Sequence, residues 1–279
     1  MKLVDVWAQP AGTTFLELLP ESKRVSGFSG LLGKESFEWT PQSLEKKLDE
    51  GNVDKTILSA WCRPGKWVVT NERIAEFVRY NPAKFIGCGS VNLADPVSAV
   101  KEAERCIREL NFKAIRVVPW LWKLPPNHKL YYPLFVKCIE LDVPFCTQVG
   151  HTGPLMPSDT GRPIPYIDEI ALTFPDLKIV CGHVGYPWTN EMIAVAWKHK
   201  NVYIDTSAYD PRYYPKELLH FAKTYGREKV MFGTNFPMLG FDTTSKGVRE
   251  LTRDWDKEAR ECFMWKNAFR VFKLPEARL

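Results

Sequence analysis

Short apolar runs rich in β-branched residues alternate with helical stretches along this chain, and that alternation leaves few folds open. The runs occupy residues 2–8 (KLVDVWA), 54–61 (DKTILSAW), 85–91 (FIGCGSV), 113–118 (KAIRVV), 143–149 (VPFCTQV), 177–181 (LKIVC), 201–206 (NVYIDT) and 229–233 (KVMFG). They are too continuously apolar for half-exposed strands, so they predict parallel strands buried on both faces. Helices are expected at 40–50, 70–80, 95–110, 132–141, 165–174, 190–197 and 215–225, with starts such as Thr40-Pro41 and Asp95-Pro96 and stops at Gly51 and Asn81-Pro82. Residues 119–126 (PWLWKLPP) read as an aromatic loop, 63–65 as a turn, and the tail over 247–274 as helical. No G-x-G-x-x-G follows the first run, so a doubly wound open sheet lacks its usual signature. The expectation is an α/β fold: one (β/α)8 barrel spanning 1–279 as a single domain, with a loop insertion after the first strand and extra C-terminal helices.

Composition narrows the partners. The chain has 279 residues, 45% of them hydrophobic, enough for one large core. A formal net charge of +5 without a lysine-arginine run argues against nucleic acid. Neither the opening (MKLVDVWAQP) nor any later run resembles a signal peptide or a membrane span. Seven cysteines without a C-x-x-C, three of them inside strand-like runs, read as reduced, buried residues of a cytoplasmic protein. The segment 13–37 carries Phe15, Phe28, Leu31 and Leu32, which suit either a lid or a contact in a homo-oligomer.

In a barrel of this kind the chemistry lies at the carboxyl ends of the strands. Those positions hold Asp5, Trp7 and Gln9; Trp61 and Arg63; Asn92; Arg116; Gln148 and His151; His183; Asp205; and Asn235. Histidines supply acid-base groups, arginines an anion site, and amides and carboxylates orientation. His151 and His183 follow glycines at the ends of neighbouring runs and are the leading candidates, whereas His128, His199 and His220 fall in a loop, at a helix end and on a helix and read as surface or structural residues. The surrounding loops carry Arg63, Lys66, Trp67, Trp120, Trp122, Lys123, Arg162, Arg212 and Tyr213. Such a rim suits a small anionic substrate with a flat apolar part, an aromatic acid or a CoA thioester.

The segments DVWAQ (5–9), HTG (151–153), GHVG (182–185) and GTNFP (233–237), with KNAFRVF (266–272) near the end, together resemble the amidohydrolase-related (amidohydrolase 2) family. The resemblance implies a TIM barrel and, in most members, a metal-dependent hydrolase, decarboxylase or hydratase of small carboxylic acids. It also implies first-strand histidines, a fifth-strand histidine and an eighth-strand aspartate as metal ligands, with a sixth-strand histidine in catalysis or metal binding. Here Trp7 and Gln9 stand at the first-strand histidine positions and Asn235 at the aspartate position. Indole offers no lone pair to zinc, and a neutral amide is a poor ligand. The expectation is therefore that no cofactor is required, the alternative being a divalent zinc or manganese held by His151 and His183, with Asp5 or Asp205 joining them.

Three functions remain open. The first is a hydrolase in which His151 or His183 is the general base, with Asp205 and Asn235 completing the catalytic set. Trp7, Gln9, Arg63, Arg116, Trp120 and Gln148 would contact the substrate, Arg116 and the amides holding the oxyanion. Within the family, the WAQ first strand is similar to that of 4-hydroxyphenyl-β-ketoacyl-CoA hydrolases, which implies cleavage of an aromatic β-ketoacyl-CoA. The second is a metal-dependent decarboxylase or lyase of an aromatic acid, with Arg116 seating the carboxylate and a histidine protonating the ring. The third is a non-catalytic binding relative.

Overall fold

The structure, a computed structural model, describes residues 1–25 and 37–275. Eight parallel strands form one sheet in sequence order: β1 (Val4–Ala8), β2 (Lys55–Ser59), β3 (Phe85–Gly89), β4 (Ala114–Arg116), β5 (Phe145–Gln148), β6 (Ile179–Gly182), β7 (Val202–Asp205) and β8 (Val230–Met231). Every residue of these strands is buried, as their continuous hydrophobicity requires. Helices at Pro41–Glu50, Asn71–Tyr80, Pro96–Arg108, Tyr132–Glu140, Tyr166–Thr173, Thr189–Lys198 and Lys216–Lys223 cover the outside. Their starts follow the sequence signals: Thr40, Thr70 and Asp95 each accept a backbone N–H from the first turn.

The sheet closes on itself across its first and last strands. Val6 N–H donates to Phe232 O (3.0 Å), Asn235 N–H to Trp7 O (2.7 Å) and Gln9 N–H to Phe236 O (3.0 Å). Asp5 fastens this seam. Its fully buried carboxylate accepts from Thr234 N–H (2.7 Å), Thr234 Oγ1 (2.9 Å), Thr56 Oγ1 (2.9 Å) and Trp7 N–H (3.2 Å). Burial outweighs those four donors and pushes its pKa up to about 7.

One end of the barrel is filled. Val4, Val6, Ile57, Ile86, Cys88, Ala114, Cys146, Val180 and Met231 pack with Ala268, Val271 and Phe272 of the last helix (Asn267–Phe272), which plugs the amino end of the strands. The opposite end receives the loops. There the expected loop over 13–37 instead begins with a helix at Thr13–Leu18 and a 3-10 turn at Pro20–Arg24, packed by buried Phe15, Leu16 and Leu19; Phe28, Leu31 and Leu32 lie outside the described residues. The loop expected over 119–126 opens with a short helix, Pro119–Trp122, because Pro119 at the first helical position and two buried tryptophans favour a turn of helix over extended chain. The expected turn at 63–65 is the tip of an antiparallel hairpin, Trp61–Arg63 with Lys66–Val69, turning at Gly65 with φ +71°. All seven cysteines are free and buried.

Replacing Asp5 orphans three buried donors besides the Trp7 amide. Asp5→Ala is expected to lower the unfolding free energy by roughly 3 kcal/mol or more. Asp5→Asn costs less, because the threonine hydroxyls can turn to accept. Urea denaturation of the two variants beside the wild type checks both the size and the order.

Candidate active site

The loop end of the barrel encloses a cavity of about 250 Å³. Trp7, Phe15, Trp61 and Trp120 form its aromatic wall, Gln9, Gln148, His183 and Asn235 its polar lining, and His151, Tyr209 and Met238 also border it. The wall is cross-braced: Trp61 meets Phe15 (5.4 Å, 79°) and Trp120 (6.1 Å, 62°) edge-on. No lysine or arginine lines the cavity among the described residues.

Trp7 lies across the barrel mouth between two strand-end groups. The His183 ring is tilted against it at 4.4 Å, and the Arg116 guanidinium carbon sits 3.8 Å from the indole centroid. Close approach requires Gly182, where a Cβ would come within 2.3 Å of the indole. Arg116 is therefore sealed against Trp7, 1% exposed, with Nη2 donating to Val6 O (3.2 Å) and with Nε and Nη1 unpartnered among the described residues. It does not line the cavity and cannot seat a substrate carboxylate directly, because the indole covers it. The expectation for Arg63 is corrected likewise. It is held by Glu21 through two hydrogen bonds (3.1 and 2.9 Å), and Arg162 and Arg212 are paired with Glu191 and Asp210.

His183 is held by a relay. Its Nδ1 lies 2.7 Å from Ser207 Oγ, which in turn donates to Asp205 Oδ1; that same oxygen accepts Ser207 N–H (2.9 Å). An oxygen already accepting from the backbone keeps the serine proton directed at it, so Ser207 accepts from His183 Nδ1–H and leaves Nε2 with its lone pair. Burial, then the Arg116 cation and then His151, push the His183 pKa down to about 3, so the ring is neutral at ordinary pH. Burial raises the Asp205 carboxyl, opposed by Arg116 and the Ser207 bonds, and its Oδ2 has no partner among the described residues. Asp205 does not line the cavity and reaches it only through Ser207 and His183.

The peptide backbone bends sharply to aim these groups. His183 (φ +74°), Ala208 (φ +68°) and Asn235 (φ +61°) all border the cavity in the left-handed region, at about 1–3 kcal/mol each for residues that do not favour it. Gln148 rather than His151 is the last residue of β5. Its Nε2 donates to the carbonyls of Val149 (2.9 Å), Gly150 (3.2 Å) and His151 (3.0 Å), so that amide gathers the following loop and has no N–H left for an oxyanion. His151 sits three residues past the strand, exposed, with Nδ1 3.1 Å from Tyr209 Oη. Trp7 Nε1 donates to Gln9 Oε1 (3.1 Å), and Gln9 Nε2 donates to Asn235 Oδ1 (2.8 Å). Asp5, the remaining candidate, is fully engaged at the seam and does not line the cavity.

Ser207 and Tyr209 were not singled out from sequence. Ser207 continues the inward period-2 alternation from Tyr203 through Asp205, and reading that alternation past the strand end would have found it. Of the other histidines, His199 pairs with Asp168 (2.7 Å) and His128 accepts Leu130 N–H (3.3 Å), both structural roles.

A protein-family model described as Amidohydrolase matches residues 42–274. A gamma-resorcylate decarboxylase of Polaromonas sp. (strain JS666 / ATCC BAA-500) is 24% identical over 266 residues, covering 73% of this chain and 75% of that protein. A 2-keto-4-carboxy-3-hexenedioate hydratase of Sphingobium sp. (strain NBRC 103272 / SYK-6) is 26% identical over 265 residues, covering 81% and 75%. Among solved structures, an uncharacterized TIM-barrel protein from Bordetella bronchiseptica superposes with TM-score 0.79 at 22% identity, covering 98% and 99%. A dihydroxybenzoic acid decarboxylase from Polaromonas sp. JS666, with bound manganese and the inhibitor 2-nitroresorcinol, gives TM-score 0.69 at 20% identity, covering 99% and 98%.

Two expectations are thereby overturned. Relatives that are decarboxylases and a hydratase replace the reading as a hydrolase of an aromatic β-ketoacyl-CoA, and the pairing of Arg63, Arg162 and Arg212 with carboxylates weakens the basic rim that supported the thioester. The manganese in the related decarboxylase removes the basis for expecting that no cofactor is required. The side chains of this chain nonetheless do not match a manganese ligand set. Trp7 has no lone pair to give, Gln9 Oε1 accepts the indole proton and Asn235 Oδ1 accepts from Gln9. Among the described residues no three His, Cys, Asp or Glu side chains converge on a point.

The depressed His183 pKa has a measurable sign. An unfolded imidazole titrates near 6.5, so His183 contributes stability that is fully present above pH 6.5 and lost as pH falls toward 3. Its imidazole resonances are expected to stay flat from pH 8 to about 5 in an NMR titration. The wild type should also lose more stability between pH 7 and about 4.5 than His183→Gln does.

Proposed function

From the premise that the chain belongs to the amidohydrolase family, matched over residues 42–274, we propose that it is a lyase that decarboxylates a small hydroxylated aromatic acid. The observation that carries the reading is a neutral histidine, His183, held by Ser207 and Asp205 at an aromatic-walled cavity sized for one substituted ring. The decarboxylase relatives, named for gamma-resorcylate and dihydroxybenzoic acid, supply the substrate class.

His183 then works as a proton shuttle. Nε2 takes the proton of a ring hydroxyl ortho or para to the carboxylate, and the imidazolium returns it to the ring carbon that bears the carboxylate. The carbon–carbon bond breaks, its electron pair restores the aromatic ring as a phenolate, and carbon dioxide leaves. Water protonates the phenolate. An arriving carboxylate places a negative charge nearby and raises the low proton affinity of His183. The Ser207–Asp205 relay stabilises the transient imidazolium from the other side of the ring. Trp7, Phe15, Trp61 and Trp120 wall the ring and keep water from competing with the imidazolium at the ring carbon to be protonated. The same proton transfer, made to a carbon of an unsaturated acid with water added, is the chemistry of the hydratase relative, and the cavity suits it as a second substrate class.

Decarboxylation is followed as carbon dioxide release from a panel of mono- and dihydroxybenzoates, with manganese supplied in the assay. Turnover is expected for acids with a hydroxyl ortho or para to the carboxylate and not for benzoate itself. His183→Gln is expected to lower kcat by about 10²-fold or more, with KM changed little. Failure of every hydroxybenzoate in the panel, or a His183→Gln enzyme of wild-type rate, rejects the reading.

A further inference from the structure

One atom sets the polarity of the cavity floor. The indole Nε1–H of Trp7 can only donate, so the Gln9 atom facing it at 3.1 Å is the amide oxygen. That choice turns the Gln9 nitrogen toward Asn235, where it donates to Oδ1 (2.8 Å) and to the backbone oxygen (3.2 Å). With Oδ1 engaged, the Asn235 NH2 group is left for the cavity that Asn235 lines, and it donates to nothing among the described residues. The backbone under it is pinned: Asn235 N–H donates to Trp7 O (2.7 Å), and its carbonyl accepts Met238 N–H (2.9 Å). Its φ of +61° is one that asparagine tolerates better than most residues. The side chain is thus a fixed donor with few other conformations to fall into.

We propose that Trp7, Gln9 and Asn235 form a carboxylate subsite in which Asn235 Nδ2 donates to an oxygen of the substrate acid. Trp7 and Gln9 are positioning residues that fix the direction of that amide. The subsite rests on the lyase reading only for which acid it receives. Two further observations select a carboxylate. The Arg116 cation lies against the Trp7 indole with two nitrogens unpartnered among the described residues, so its field favours an anion. With no lysine or arginine lining the cavity among the described residues, that anion takes its hydrogen-bond donors from neutral side chains. The lone pair at His183 Nε2 repels a carboxylate oxygen, which favours placing the acid on the Asn235 side and a hydroxyl at the histidine.

Benzoate and benzamidine test this, since they share a shape, carry opposite charges and differ in that one only accepts and the other only donates. The charge difference is common to the wild type and Gln9→Met, which keeps Arg116 covered, so a change in their ratio there reports the amide. Their Kd values are measured by tryptophan-fluorescence titration, without turnover. The wild type should prefer benzoate. Gln9→Met and Trp7→Phe add no charge but free the Asn235 amide to turn, and each should lower the benzoate-to-benzamidine affinity ratio by about fivefold or more. Loosened packing alone would weaken both ligands alike and leave the ratio unchanged. An unchanged ratio in both folded variants, or a wild type that prefers benzamidine, overturns the subsite. If neither variant folds, the wild type still decides: the side-chain NH2 signals of Asn235 in a ¹⁵N spectrum should move with benzoate and not with benzamidine, and the absence of any shift overturns it. A protein with this preference that decarboxylates nothing keeps the subsite and loses the lyase reading. One that decarboxylates with no such preference does the reverse.

Discussion

The seam between the first and last strands governs the rest of the molecule. Asp5 is one buried carboxylate, yet it binds Thr234 across 229 residues of chain and Thr56 of the neighbouring strand at once. Burying a charge-capable group is costly unless donors surround it, and here four do. Because the same turn of backbone carries Asn235 against Trp7 and Gln9, closing the barrel and building the cavity floor are one event. Any shift of register at the seam would separate Gln9 from Asn235, since a one-residue slip reverses every side chain.

Above the seam, one positive charge organises the electrostatics without entering the cavity. Arg116 is stacked against Trp7, with two nitrogens lacking partners among the described residues, and its field reaches both His183 and Asp205. Aromatic stacking returns about 0.5–2 kcal/mol for the buried cation, far short of its desolvation. The residual field is what the site uses. It disfavours an imidazolium at His183 and favours any anion that arrives above the indole. In the proposed reaction an arriving carboxylate would therefore offset the Arg116 field at His183, beside the hydrogen bond that Ser207 already provides.

The fold was legible because its signal is redundant. Each buried strand is an unbroken apolar run, and the helices between them carry Thr or Asp caps that the backbone actually uses. The strand-end rule also gathered Trp7, Gln9, Trp61, Gln148, His151, His183 and Asn235 at one cavity. Other features of the site depend on facts that sequence does not carry. Arg63 looked free because Glu21, its partner, is far away in chain order and near only after the helical segment folds back. Arg116 points along the strand-end rule but is covered by a side chain from another strand, which no local pattern reveals. His151 reads as strand-end from its flanking glycine, whereas β5 stops at Gln148 and that amide shapes the loop between them. Tyr209 lies past the strand, where periodicity has already ended, whereas Ser207 was within reach of the alternation that runs through Tyr203 and Asp205.

A decarboxylase of the same fold holds manganese, and this chain has side chains of another kind at the first- and last-strand positions. The two facts meet in the polarity of the floor. A carboxylate ligand accepts, so it would turn any neighbouring amide into a donor toward itself; the indole here does the opposite and turns the Gln9 oxygen inward toward Trp7. From that single donor the direction of each later amide follows, ending in a nitrogen that faces the cavity. The substitution Asn235→Asp alone would therefore not create a ligand set. The carboxylate it introduces would accept from Gln9 with one oxygen and turn the other to a cavity where Trp7 has no lone pair to offer a metal, so Trp7, which starts the chain of donors, is the residue on which the character of this site turns.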